Sequence, residues 1–277
     1  MLYGILTEPL ATGHNNVILR TMAAEYGAYR ERRSAKELAL RSVNIYDDTT
    51  ITSPDGTKFF ISTNDLWFDE FPSAMVEVVQ MCCRAFPEYA SLTAVEQNTV
   101  LKSFIGCFLI AEIAFITEKH FPGRDDYFFV TPNSLCDLQD VDAFTKNSPN
   151  DQDFLRAWKF YGEKEFGLMR PILREAAITD IEYYAILCLL IWNFDFVPYI
   201  PIHIAEMGDH IRKRVFDELN WYYKYELKCE DFAARLGRLM LLLHTIQLTS
   251  GQRFPPFGGV GGNPLAKYQC IASRINQ

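Results

Sequence analysis

The chain has 277 residues, 49% of them apolar, and its 27 basic and 35 acidic side chains leave a formal charge of -8. That is enough chain for one large core or two small ones, and the acidic balance has the wrong sign for a domain that grips a polyphosphate backbone. The seven cysteines fall at 82, 83, 107, 136, 188, 229 and 270 with no C-x2-C pair, which excludes a zinc finger or a paired disulfide framework and points to a reducing compartment.

Residues 1–15 lack a basic n-region and meet Glu8 and Pro9 early, so they read as a tail and not as a signal peptide. From Asn16 to about Ser42, Val17, Ile18, Met22, Tyr26 and Tyr29 recur at helical spacing, and Arg30, Arg32, Arg33 and Lys36 read as a solvated helix end. Residues 43–65 are polar and turn-rich around Ser53, Pro54, Asp55 and Gly56 and read as a loop. A second helix, Asn64 to Arg84, carries Leu66, Phe71, Met75, Val78, Val79 and Cys82 on one stripe.

Beyond Pro87, Thr93 and Glu96 have the spacing of a capping box that opens a helix to about Lys119. Asp125 to Asn133 is β-branched and aromatic between turn formers, the pattern of a short strand or hairpin. An amphipathic stretch after Ser148 runs to about Ala177 and should be kinked or split by Pro171. Thr179 and Glu182 form a second capping box, before a helix to Trp192 that is apolar on nearly all sides and belongs in the middle of a layered core.

A polar amphipathic helix is expected from about His203 to Tyr225. Asp231 then caps a last helix that buries Phe232, Leu236, Leu239, Met240, Leu243 and Ile246. The longest apolar runs, 104–116 and 183–192, fall short of the roughly 20 residues that cross a bilayer, so a soluble, intracellular chain is expected. There is no internal repeat and no dividing linker. The expectation is one all-α domain with one short β-hairpin.

Catalytic groups are sparse. His203, Glu206 and His210 at i, i+3 and i+7 could offer one helix face to a metal, against the plainer reading of a hydrated surface turn. Glu112, inside an apolar helix, is read as a buried acid or as the ion-pair partner of an arginine such as Arg235. No nucleophile elbow, P-loop or di-iron pair occurs, and the glycine-rich run 258–262 lacks the strand and helix of a phosphate cradle. No catalytic residue, metal or cofactor is expected, and no enzyme activity.

One pattern is more specific. Arg84, Pro87, Tyr89, Leu92, Glu96, Gln97, Val100 and Leu101 follow basic-x-x-Pro-x-aromatic-x-x-Leu-x-x-x-acid-Gln-x-x-Leu-Leu without a gap. This resembles the signature of nuclear hormone receptor ligand-binding domains, most closely the divergent nematode branch. Glu182 to Asp195, with its Asn-x-Asp ending, looks like a later core helix of that family, and 234–243 looks like its dimerisation helix.

The resemblance implies a three-layer antiparallel α-helical sandwich over 16–250, acting in the nucleus, and also in the cytoplasm, to regulate transcription. It implies a coregulator groove in which Arg84 clamps a coactivator or corepressor peptide helix opposite Gln97, Val100, Leu101 and Lys102. It implies a pocket for a lipophilic small molecule at Phe71, Met75, Ile105, Leu109, Ile110, Ile113 and Ile116, with an isoleucine at 116 where many receptors place an arginine. It further implies a homodimer, or a heterodimer with another nuclear receptor, through Arg235, Arg238, Leu239 and Leu242.

Two departures are expected to matter. No zinc module for direct DNA binding stands in the chain, and residues 251–277 form a Gly/Pro-rich tail without the glutamate of an activation helix. The rival readings are a dimerisation-only or dominant-negative receptor fragment, and an α-helical metalloenzyme built on the His203 face.

Overall fold

In the computed structural model the described residues are 17–43, 49–140, 144, 167–194 and 199–251. Helices carry most of them: α1 (Val17–Val43), α2 (Asn64–Ala85), the short α3 (Pro87–Ala90), α4 (Ala94–His120), α5 (Gly167–Ala176), α6 (Asp180–Ile191), α7 (Ile202–Trp221) and α8 (Ala233–Gly251). A single π-helical turn, Tyr222–Glu226, extends α7. The strands are β1 (Thr50–Thr52), β2 (Lys58–Ile61), β3 (Tyr127–Thr131) and β4 (Ser134–Asp137). The mostly helical class agrees with the sequence reading. The amphipathic stretch from 149 to 166 and the tail from 252 to 277 lie outside the described residues, and Pro171 falls inside α5.

By packing, the chain divides into two compact units, one drawn from residues 1–29, 79–109 and 176–251, the other from 30–78, 110–175 and 252–277. The first is organised on α6, whose residues from Ile181 to Trp192 are all buried. Its start is a complete capping box: Thr179 Oγ1 accepts from the Glu182 N–H, and Glu182 accepts from the Thr179 N–H at 2.7 Å. Each large apolar side chain so buried is worth about 1.5–3 kcal/mol.

Glu182 is the one carboxylate in that run, and it is fully met. Arg235 donates to its two oxygens at 2.6 and 2.7 Å, and the Tyr223 hydroxyl donates at 2.9 Å. Gly208 lets α7 pass α6 closely, since a Cβ there would stand 3.0 Å from Phe194 and 3.2 Å from the Trp192 carbonyl. The N-terminus of α1 is held by Glu218 of α7, whose carboxylate accepts from the Ile18 and Leu19 N–H groups at 3.0 and 2.9 Å.

The second unit contains the sheet, in the order β1-β2-β4-β3, with β1/β2 and β3/β4 antiparallel and β2/β4 parallel. Two hairpins therefore stand where the sequence predicts one, and the loop reading of 43–65 is corrected over its middle. Ser53 to Gly56 is the turn between β1 and β2, with Gly56 at φ 85°. Phe59 of β2 is fully buried against Phe129 and His120. A three-residue and a four-residue strand show too little alternation to be read alone, and β2 acquires its second partner, β4, only when residues 60 and 61 meet 134 and 135.

The basic end of α1 also departs from expectation. Arg33 is 4% exposed and not solvated: it donates twice to Glu70 of α2, at 2.6 and 2.7 Å, and once to Glu112 of α4, at 3.1 Å. Glu112 is thus an ion-pair partner, as one of its two readings held, but of Arg33 and not Arg235. Burial pushes the Glu70 carboxyl up, and Arg33 opposes this. Beside this triad, buried Glu37 accepts from the Asn133 backbone and side-chain N–H groups at 2.8 and 3.1 Å and from the Ser134 hydroxyl, tying α1 to the β3–β4 turn.

By length and composition α4 is long and apolar enough to cross a membrane, although its uninterrupted apolar run is shorter. More than half of that apolar window is buried in the fold, and the buried, ion-paired Glu112 lies in the same helix. Those are the properties of a core helix.

Candidate functional site

Within the first unit, the end of α2, the short α3 and the start of α4 bring the signature residues together. Pro87 forces Phe86 into an extended conformation (φ -130°, ψ 103°), which ends α2 and starts α3. Phe86 and Tyr89 are buried, and Phe86 packs edge-on against Trp192. The corner is then locked reciprocally: Gln97 Nε2 donates to the Tyr89 carbonyl at 3.1 Å, and the Tyr89 hydroxyl donates to the Gln97 carbonyl at 3.2 Å.

The expected Thr93–Glu96 box is present, with the Thr93 N–H donating to Glu96 at 2.9 Å, and the Thr93 hydrogen bonds hold the Glu96 carboxyl below the usual range. Of the groove residues, Val100 is buried, Gln97 and Leu101 are half-buried, and Arg84 and Lys102 are exposed. Arg84 donates to Gln80 at 3.2 Å and stands 4.0 Å from Glu25. A guanidinium so placed, at the last turn of α2 and largely open to solvent, can hydrogen-bond the free carbonyls at the C-terminus of an incoming helix.

The residues assigned to a lipophilic pocket are spread over both units. In the first, Ile105 and Leu109 are half-buried; in the second, Phe71, Met75 and Ile113 are half-buried while Ile110 and Ile116 are buried. Phe71 packs on Trp67 with ring centroids 5.3 Å apart. Ile113 and Trp67 pack on a cluster of Phe128, Val130, Cys136, Leu138 and Phe144.

On α8, Leu239 and Leu242 are buried within the unit and Arg235 is committed to Glu182, while Arg238, Leu241 and Leu248 are exposed. The metal reading finds no support. His203 Nε2 lies 2.9 Å from Glu96, and no group of three His, Cys, Asp or Glu able to hold a metal occurs among the described residues. Sequence reasoning missed the Arg33–Glu70–Glu112 triad; the signal available was two glutamates on otherwise apolar helix faces.

Residues 63–253 match the family described as the ligand-binding domain of nuclear hormone receptor. Among curated relatives, nuclear hormone receptor family member nhr-53 of Caenorhabditis elegans is 21% identical over 69% of this chain and 52% of its own length. Member nhr-20 of the same organism is 24% identical over 59% of this chain and 37% of its own, and member nhr-43 is 21% identical over 87% and 56%. The chain spans about half the length, or less, of these relatives. With the matched region covering well over half of the chain, the protein belongs to the nuclear hormone receptor ligand-binding domain family.

Proposed function

We propose that the chain is the ligand-binding domain of a nuclear receptor that regulates transcription in the nucleus by docking coregulator helices, and that it catalyses no reaction. The observation that carries this is the signature corner: Tyr89 and Gln97 lock α3 to α4 and leave Arg84 and Lys102 exposed beside the buried Val100. In this reading the exposed Arg84 guanidinium takes the C-terminal carbonyls of an amphipathic coactivator or corepressor peptide, and Gln97, Val100, Leu101 and Lys102 form the opposing wall.

A lipophilic small-molecule ligand belongs to the same proposal. The apolar ring and chain of such a ligand suit a set that offers no cation at 116. The domain extends over 16–250, with 251–277 as a separate tail.

A second reading, in which the chain only dimerises, is favoured by the exposed Leu241 and Leu248 on α8, 57% and 45% exposed. One experiment addresses both. Wild type and Arg84→Glu are compared in a coregulator-peptide pull-down, with light scattering on the same samples. Wild-type capture of peptide, lost in a folded Arg84→Glu, is the expected result. Equal capture by both proteins removes the clamp, and a wild-type dimer that captures nothing leaves the dimerisation-only reading.

A further inference from the structure

Arg84 is not alone at the end of α2. Glu25, on α1 in the same unit, holds its Oε2 4.0 Å from Arg84 Nη1, beyond hydrogen-bonding distance. That oxygen is shut off from solvent and accepts no hydrogen bond, while the side chain as a whole is 24% exposed. A carboxylate oxygen with neither water nor a donor is costly, so the arrangement is one half of an interaction. Its position is fixed from behind, because the neighbouring Tyr26 is buried with its ring centroid 5.4 Å from that of Tyr183 and 5.9 Å from that of Tyr184.

Arg84 does not supply the missing half. Its Nη2 donates to Gln80 at 3.2 Å, and its side chain stays 46% exposed. An ion pair so long and so open is weak, and either member can exchange it for a better contact. A cation and an anion therefore stand side by side at one end of the groove, each able to take a third group.

We propose that this pair reads the C-terminal flank of a docked helix: Arg84 takes the last carbonyls, and Glu25 takes a Lys or Arg side chain just beyond them. The inference rests on the docking reading above and adds the charge of the partner. A carbonyl held about 3 Å from Arg84 lies within about 7 Å of the Glu25 carboxylate, a gap that the four-carbon stem of a lysine spans. Drawing Arg84 onto those carbonyls takes it further from Glu25, and the new cation replaces it there. An acidic flank meets Glu25 as a like charge, so selection works by repulsion as well as attraction.

The test uses the full 277-residue chain and fluorescence anisotropy. Labelled peptides share one amphipathic helix, with leucines at i, i+3 and i+4, and end in Lys-Lys, Ala-Ala or Glu-Glu. Wild type should bind the lysine tail about fivefold tighter than the alanine tail and the glutamate tail most weakly, a ranking that narrows at high salt. A lysine tail also steadies the peptide's own helix, so the preference counts only as far as it depends on Glu25. In Glu25→Gln the lysine and alanine tails should bind within about twofold of each other, and Glu25→Ala is the second variant should the first not fold. Equal binding of all three tails by wild type overturns the inference and leaves the docking reading standing. The same ranking in the variants overturns it by moving the selection elsewhere, and loss of every peptide from a folded Glu25→Gln overturns it by making Glu25 a support for Arg84. A wild type that binds no peptide removes the docking reading and this inference together.

Discussion

In the first unit the central helix α6 is buried from Ile181 to Trp192 with one carboxylate among twelve residues, and that carboxylate sits in the first turn, met by Arg235 and Tyr223. In the second, buried charges lie in the interior itself: Arg33 with Glu70 and Glu112, and Glu37 with Asn133, Ser134 and Arg41. An apolar core tolerates many sequences of the right volume. A buried ion triad accepts one arrangement, because each member is costly without the others. The comparison teaches that the first unit gains its definition from its ends, through caps and a locked corner, and the second from its middle.

The sharpest way to break that contrast is Arg33→Met. Removing the one cation of the triad leaves Glu70 and Glu112 buried together, and a loss of about 3–5 kcal/mol in urea unfolding is expected. A loss below about 1 kcal/mol would show the carboxylates to be well hydrated and the contrast to be false.

A smaller effect reads the same site through pH. Because burial raises the native pKa of Glu70 above its unfolded value, the native state keeps a proton that the unfolded chain has released. In the window between those two values, stability is present at the acid end and falls as pH rises. Wild type should therefore lose stability relative to Glu70→Gln as pH is raised through that window, and a relative gain would reverse the assignment. Glu77 works with the opposite sign: despite burial, Arg32 and Lys36 hold its pKa low, so its contribution is lost as pH falls.

The smallest effect belongs to the first unit. Thr179→Ala removes the cap of α6 but none of its apolar contacts, and should cost about 1 kcal/mol in the same unfolding measurement. A cost approaching that of Arg33→Met would mean that the cap defines more of the fold than the burial behind it.

What the sequence made legible follows the range of the interaction. Both capping boxes, the all-buried α6 and the Pro87–Gln97 corner depend on residues a few positions apart, and a linear reading recovers them. The β1–β2 hairpin was hidden because its strands are short and β2 is completed by residues more than seventy positions away. Arg33 read as a solvated charge for the same reason: its carboxylates stand 37 and 79 positions along the chain. Glu112 was identified as needing a cation, but periodicity cannot say which one, and Arg235 had its own partner in Glu182. Of the groove, the spacing supplied the residues and their helices, while the exposure of Arg84 and Lys102 beside the buried Val100 needed coordinates.

The carboxylate of Glu218 on the first turn of α1 has a consequence for synthesis on the ribosome. The two backbone N–H groups it satisfies are made 200 and 199 residues before it. At roughly 5–20 residues per second, α1 emerges some 10–40 s ahead of its own cap. Through that interval the start of the helix has only water as a partner, and its apolar face waits for α6. Helix α1 is thus made well before α7, the helix whose carboxylate finishes its start.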